Sequence, residues 1–113
     1  MKQGDIVLIV FPFADLKSIK VRPALVISKE DFNKRQADAV FIMITSVIND
    51  IKPEEILIKR NDSGFAQTGL KKESVIRTSK VHSLSQSLAK RKLGSISPVM
   101  LKETLKRIQD FLF

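Results

Sequence analysis

The 113-residue chain has no cysteine, no tryptophan, no tyrosine and a single histidine. Without cysteine there is no disulfide framework, no thiol nucleophile and no thiolate zinc site. With His82 as the lone histidine, a multi-histidine metal site within one chain is excluded, and any Ser–His–Asp triad would have to run through that residue. No apolar run is long enough to cross a bilayer. The apolar start Ile6–Phe11 follows Gly4-Asp5 rather than a basic segment, runs into Pro12 and carries no small-residue cleavage site, so it is not read as a secretory signal. A cytoplasmic protein without a membrane partner is the expectation. Internal repeats, low-complexity tracts and linkers are also missing, which makes residues 1–113 one domain.

Acidic residues are scarce in one part of the chain only. Residues 1–70 hold 10 Lys/Arg and 9 Asp/Glu, whereas residues 71–107 hold 10 Lys/Arg against Glu73 and Glu103 alone. The net charge of +8 is therefore concentrated, and a one-sided excess of this kind points to a polyanionic partner. At 43% hydrophobic the chain can bury one compact core, though a small one, so association into a homodimer is expected to help it.

The first two thirds read as strands. Ile6–Phe11 is an apolar, β-branched run expected to be buried on both faces. Arg22-Pro23 opens a second run, Ala24–Ile27, and the proline pushes Arg22 into an extended conformation. Lys29–Asp38 reads as a charged loop, Ala39–Thr45 as a third strand, Ile56–Lys59 as a fourth and Ser74–Thr78 as a fifth. Turns fall at Asn61–Gly64 and Gly69. Ser83–Leu93 reads as a short helix closed by Gly94. Ser97-Pro98 signals a last helix, with Leu101, Leu105, Ile108 and Leu112 on one face. The spacing leaves no room for helices between most strands, so a mainly β small barrel with appended α-helices is expected.

Three side chains stand out on this frame. Arg22, at the mouth of the second strand beside a loop carrying Lys17 and Lys20, presents an always-charged fork of donors suited to phosphate. Taken alone, its position favours a structural or merely solvated arginine. Thr45 ends a rigid apolar strand with Ser46 next to it, so its hydroxyl can be aimed; taken alone, it is as readily a β-former starting a turn. Arg77 interrupts the fifth strand and is placed facing the core or at the rim of a cleft.

Together these residues belong to a larger pattern. Gly4-Asp5-Ile6-Val7, Phe11-Pro12-Phe13, Val21–Ser28 with its Arg22-Pro23, Ile44-Thr45-Ser46, Gly69-Leu70, Ser74–Arg77 and Lys92–Ile96 follow one another in an order and spacing that resembles the MazF/PemK family of type II toxin–antitoxin toxins along nearly the whole chain. The resemblance implies an SH3-like small barrel of the PemK/CcdB kind with a C-terminal helix, working as a homodimer. It implies an endoribonuclease that inhibits growth by cutting single-stranded RNA at short sequences, with no cofactor and no metal. It also implies an acidic antitoxin that covers the site, any contact with operator DNA running only through that complex. Carried over position by position, Arg22 and Thr45 are catalytic, and Arg77 matches an arginine that also acts in some members. The acid that accompanies that arginine two residues on is replaced here by Ser79.

RNA carries its own nucleophile, the ribose 2′-hydroxyl. Cleavage then requires donors aimed at the charge that develops on phosphorus, a part that Arg22 and Thr45 suit. Arginine stays protonated at neutral pH and is a poor proton shuttle, so Arg22 is assigned to charge stabilisation. Single-stranded RNA is commonly read by stacking; with aromatics limited to phenylalanine, Phe13 is the candidate platform, and Lys17, Lys20, Ser46 and Lys80 are candidate RNA contacts. His82 lies past the fifth-strand motif and is read as structural or superficial. Two alternatives carry different expectations: a CcdB-like, gyrase-directed toxin, against which Arg22 and Thr45 argue, and a catalytically silent nucleic-acid-binding module, which Ser79 leaves open.

Overall fold

The structure, a computed structural model, describes residues 1–11 and 20–113. In chain order the described elements are β1 (Asp5–Phe11), β2 (Lys20–Val26), α1 (Glu30–Arg35), β3 (Asp38–Thr45), β4 (Ile56–Ile58), α2 (Phe65–Thr68), β5 (Ser74–Ser85), β6 (Ala89–Ser95) and α3 (Pro98–Leu112). The strands form one antiparallel sheet in the order β4-β5-β3-β2-β1-β6. A curled six-stranded sheet with a C-terminal helix is the expected architecture, with one strand more than the sequence suggested.

The sheet buries both faces. On one, Ile6, Leu25, Ile42, Ile44, Ile76 and Ile108 form a cluster joined by Met100 and Leu101 of α3. On the other, Val7, Ile9, Phe11, Ala24, Val26 and Phe41 form a second cluster. Period-two alternation puts Ile6 and Leu25 in the first cluster and their neighbours Val7, Ala24 and Val26 in the second, which is why these stretches are apolar throughout rather than alternating with polar residues. Each fully buried Ile or Leu contributes roughly 2 kcal/mol of burial free energy. The curl is helped by register shifts in the β1–β6 and β3–β5 ladders. In the latter, Ile42 pairs with Val81 and Ile44 with Ile76, so β5 bends sharply between those rungs.

Three local expectations are corrected. The segment Ser83–Leu93 is not a helix: β5 runs on to Ser85, a 3-10 turn covers Gln86–Leu88, and β6 follows. Leu84, in β5, and Leu88, in the turn, both reach the second cluster. Lys90, Arg91 and Lys92 tolerate strand structure because β6 is an edge, where charged residues discourage further pairing. The charged loop after β2 holds α1, with Glu30 and Asp31 in its first turn and Lys34 and Arg35 in its last, the order the helix dipole favours. Finally, the stripe of α3 is rotated. Thr104 and Ile108 are its buried residues, while Leu112 is 56% exposed. Thr104 is satisfied there by donating its hydroxyl to the Met100 carbonyl at 2.8 Å.

At the start of α3 the cap is as expected: Ser97 Oγ accepts the Met100 N–H at 3.2 Å and Pro98 occupies the first turn. No helix among the described residues is long and apolar enough to cross a membrane.

Candidate active site

Strands β2 and β3 pair at Val26–Phe41, Leu25–Ile42 and Ala24–Met43, and there the rungs stop. Pro23, which has no N–H to give, lies one residue past the last rung. Arg22 lies one further, its backbone still paired with Ile9 of β1. On the other strand the corresponding residue is Thr45, held from its far side by the rung to Val75 of β5. Arg22 and Thr45 thus face each other across the opening between two strands, each fixed to a neighbour that belongs to the core.

A cleft of about 600 Å³ occupies this opening. Leu8, Pro23, Ile44, Leu70 and Leu93 give it an apolar lining; Arg22, Thr45 and Ser46 contribute the polar groups foreseen from sequence. Three further cations, Lys71, Lys72 and Arg91, also line it, and no acidic residue does among those described. Arg22, Lys71, Lys72 and Arg91 make no ion pair among the described residues. A concave, apolar-floored site with several cations that have no acidic partner among the described residues is suited to a polyanion whose bases or sugars rest on the apolar part.

The added cations were legible only as a basic surplus after residue 70. Lys71 and Lys72 reach the cleft because α2 lies directly on β6, the strand that itself carries Arg91. A Cβ on Gly94 would stand 2.1 Å from the Gln67 carbonyl oxygen, and one on Gly69 would stand 2.1 Å from that of Leu93. Gly69 also ends α2 in the left-handed conformation, φ 72°. The two glycines let backbone meet backbone, which carries the loop after α2 to the cleft.

Thr45 begins a tight turn. Its Oγ1 accepts the Val47 N–H at 3.1 Å, so the hydroxyl hydrogen remains for another acceptor. The other expected residues are distributed differently. Arg77 does not line the cleft; its Nη1 donates to Glu55 Oε1 at 2.7 Å and its Nη2 to the Val47 carbonyl at 3.2 Å. Lys20, at the start of β2, and Lys80, in the bent part of β5, are exposed and lie off the cleft lining. Phe13 and Lys17 fall outside the described residues. His82 is half-buried and meets the edge of Phe11, ring centroids 6.0 Å apart at 71°.

The fold and this cleft define a small, curled antiparallel sheet with a basic site at the parting of β2 and β3. The profile of the PemK-like, MazF-like toxins of type II toxin–antitoxin systems matches residues 2–112. The chain belongs to that family. No curated protein sequence matches it. Among solved structures, an endoribonuclease in complex with its cognate antitoxin from a mycobacterial species is 15% identical, with TM-score 0.77 over 99% of this chain and 94% of that one. MazF in a MazE–MazF crystal structure from Deinococcus radiodurans is 22% identical, with TM-score 0.75 over 99% and 95%. The Mycobacterium tuberculosis toxin MazF-mt6 is 16% identical, with TM-score 0.74 over 94% and 93%. At these identities the likeness is one of fold.

Proposed function

We propose that this chain, as a single toxin domain over residues 1–113, is a sequence-selective endoribonuclease that cuts single-stranded RNA in the cytoplasm and thereby inhibits growth. The observation that carries the reading is that Arg22 and Thr45, just past the last β2–β3 rung, line one cleft together with cations that have no acidic partner among the described residues. The 2′-hydroxyl of the substrate attacks the adjacent phosphorus, leaving a cyclic phosphate and a 5′-hydroxyl. Arg22 stabilises the charge that grows on the non-bridging oxygens, and Thr45 donates its free hydroxyl hydrogen to the same phosphate. Because the nucleophile comes from the RNA, the scheme needs no metal ion. Lys71, Lys72 and Arg91 hold neighbouring phosphates and position the strand without reading its sequence.

Family membership and the antitoxin complexes among the similar structures support a partner protein. We infer an acidic antitoxin segment that covers the cleft and neutralises its cations, and a homodimer as the working unit. The basic surface speeds that encounter. The test is direct. Purified protein is incubated with several long single-stranded RNAs in EDTA and the new ends are mapped. Cutting that persists in EDTA and is lost in Arg22→Ala and Thr45→Ala supports the reading; intact RNA with folded wild type overturns it. Gyrase cleavage complexes in place of RNA ends would indicate a protein-directed toxin instead.

A further inference from the structure

Arg77 sits close to the cleft without lining it, and its bonding explains why. Its partner Glu55 has a side chain only 3% exposed, and that of Arg77 is 20% exposed. The same carboxylate oxygen, Oε1, also accepts the Lys52 N–H at 2.9 Å. A buried carboxylate with this much bonding is a fixed post, and Arg77 is strapped to it. The second arm of the guanidinium then reaches the Val47 carbonyl at 3.2 Å. Val47 is the residue whose N–H is bound by Thr45 Oγ1. Val47 is thus held at both ends, by Thr45 on its amide side and by Arg77 on its carbonyl side.

The rest of the β3–β4 connection is tied down in the same manner. Thr78 Oγ1 donates to the Glu54 carbonyl at 2.9 Å, and Arg107 Nη1 donates to the carbonyls of Pro53 and Glu55 at 3.1 and 2.7 Å. The backbone around Glu55 is rigid, so Glu55 can transmit that rigidity through Arg77 to the turn at Val47. The turn in turn decides the direction in which Thr45 offers its remaining hydrogen. Both arms of Arg77 are engaged by groups of the chain itself, which leaves it poorly placed to meet a phosphate.

We propose that Arg77, strapped to Glu55, acts on RNA cleavage as a positioning residue that fixes the Thr45–Val47 turn, and does not itself touch the substrate. This rests on the endoribonuclease reading above. It differs from the role implied by family resemblance, and it gives Glu55 a part that no motif signalled. The carboxylate of Glu55 stands on the buried side of Arg77, where it orients the guanidinium and is withdrawn from the RNA.

A double-mutant cycle in cleavage kinetics tests it, using Arg77→Lys, Glu55→Gln and both together at a temperature where all are folded. Lysine keeps the charge but loses the second arm, and glutamine keeps the shape but loses the charge. The expected result is that Arg77→Lys lowers kcat about tenfold with KM little changed, since a slightly misplaced group slows chemistry more than binding. The same change costs clearly less in the Glu55→Gln background, because contacting residues are coupled. The shape of the kcat–pH profile stays that of wild type. An equal loss in both backgrounds, or the disappearance of one limb of the pH profile in Arg77→Lys, overturns the proposal by showing direct action. Amide hydrogen exchange at Val47 supplies a readout independent of activity. Faster exchange in Arg77→Lys, with distant sheet amides unchanged, supports the strap, and unchanged exchange at Val47 overturns it. If wild type cuts no RNA, the endoribonuclease reading fails while the exchange arm still decides whether Arg77 fixes the turn.

Discussion

Arg22 and Thr45 stand one two-residue step beyond the Ala24–Met43 rung, the last that joins β2 to β3. Their positions are set by pairing on their outer sides, Arg22 to Ile9 and Thr45 to Val75. The gap between them is therefore a consequence of the ladder's end, not of loop geometry. Two strands that are rigid up to the point where they part offer both accuracy and access, which is what a site for a polymeric substrate requires.

Substitution at this pair is expected to damage chemistry and spare the fold. Arg22 is exposed, and no described core residue depends on its side chain. Arg22→Ala and Arg22→Lys should both lower kcat/KM by roughly two to three orders of magnitude, the usual cost of removing a donor that meets developing charge. Lysine is not an adequate replacement, since it lacks the planar fork. Thr45→Val removes the hydroxyl with its shape preserved and should fall in the same range. Thermal melts should stay near wild type. An Arg22→Lys enzyme with full activity would show that charge alone is required there.

The cations after residue 70 make a different prediction, one concerning binding rather than chemistry. On the proposed mechanism an RNA with a 2′-O-methyl group at the cut site should bind without being cleaved, so its affinity can be followed by fluorescence anisotropy across a range of salt. For a single strand, each lost phosphate contact lowers the slope of log K against log salt by about 0.7. The variant Lys71→Ala/Lys72→Ala should therefore flatten the slope by about 1.4 if both contact phosphate. Affinity should drop to a similar degree for cleavable and non-cleavable sequences, because these contacts do not read bases. An unchanged slope would place the strand elsewhere on the surface.

How far these features were legible in the sequence depended on how local they are. The apolar β-branched runs of β1, β2 and β3 are strands in the structure because period-two burial on two faces needs little beyond the run itself. Arg22, Thr45 and Ser46 each stood out at a strand end, and only the folded sheet shows them lining one cleft. The segment after His82 was misread because its strand partners, β3 for the end of β5 and β1 for β6, lie far away in the chain and only they decide between helix and strand. Arg77 was visible as an arginine in an apolar strand, but Glu55, 22 residues away, could not be matched to it before the β3–β4 connection was seen to fold back. Placing Lys71 and Lys72 required knowing that two glycines bring α2 onto β6, and placing Arg91 required knowing that Ala89–Ser95 is a strand.

The C-terminal helix allows a simple check of its packing. Ser97→Ala removes the acceptor for the Met100 N–H and should cost about 1 kcal/mol in urea denaturation, as cap losses usually do. Thr104→Val should behave differently. Its hydroxyl donates to a carbonyl within the same helix, and valine fills the same volume without a polar atom to bury. A change of less than about 1 kcal/mol is expected, of either sign. If Thr104→Val were severely destabilising, the hydroxyl would have to meet a partner other than Met100.

The close approach of α2 to β6 links stability to function in one substitution. Gly94→Ala would put a methyl group 2.1 Å from the Gln67 carbonyl oxygen and 2.6 Å from the Thr68 carbonyl carbon, atoms of the backbone that cannot rotate aside. Either β6 must shift, breaking its rungs to β1, or α2 must lift away. Overpacking of this kind costs about 1–3 kcal/mol. The second route is the cheaper, because β6 is tied to β1 along most of its length whereas α2 is a single turn. Lifting α2 moves Gly69, Leu70, Lys71 and Lys72 together, so the cleft loses both an apolar wall and two cations. Gly94→Ala should therefore weaken binding of the 2′-O-methyl RNA by more than Lys71→Ala/Lys72→Ala does, at a temperature where the variant is still folded. A variant that melts normally and binds normally would mean that α2 does not rest on β6, and that the loop after it reaches the cleft by other means.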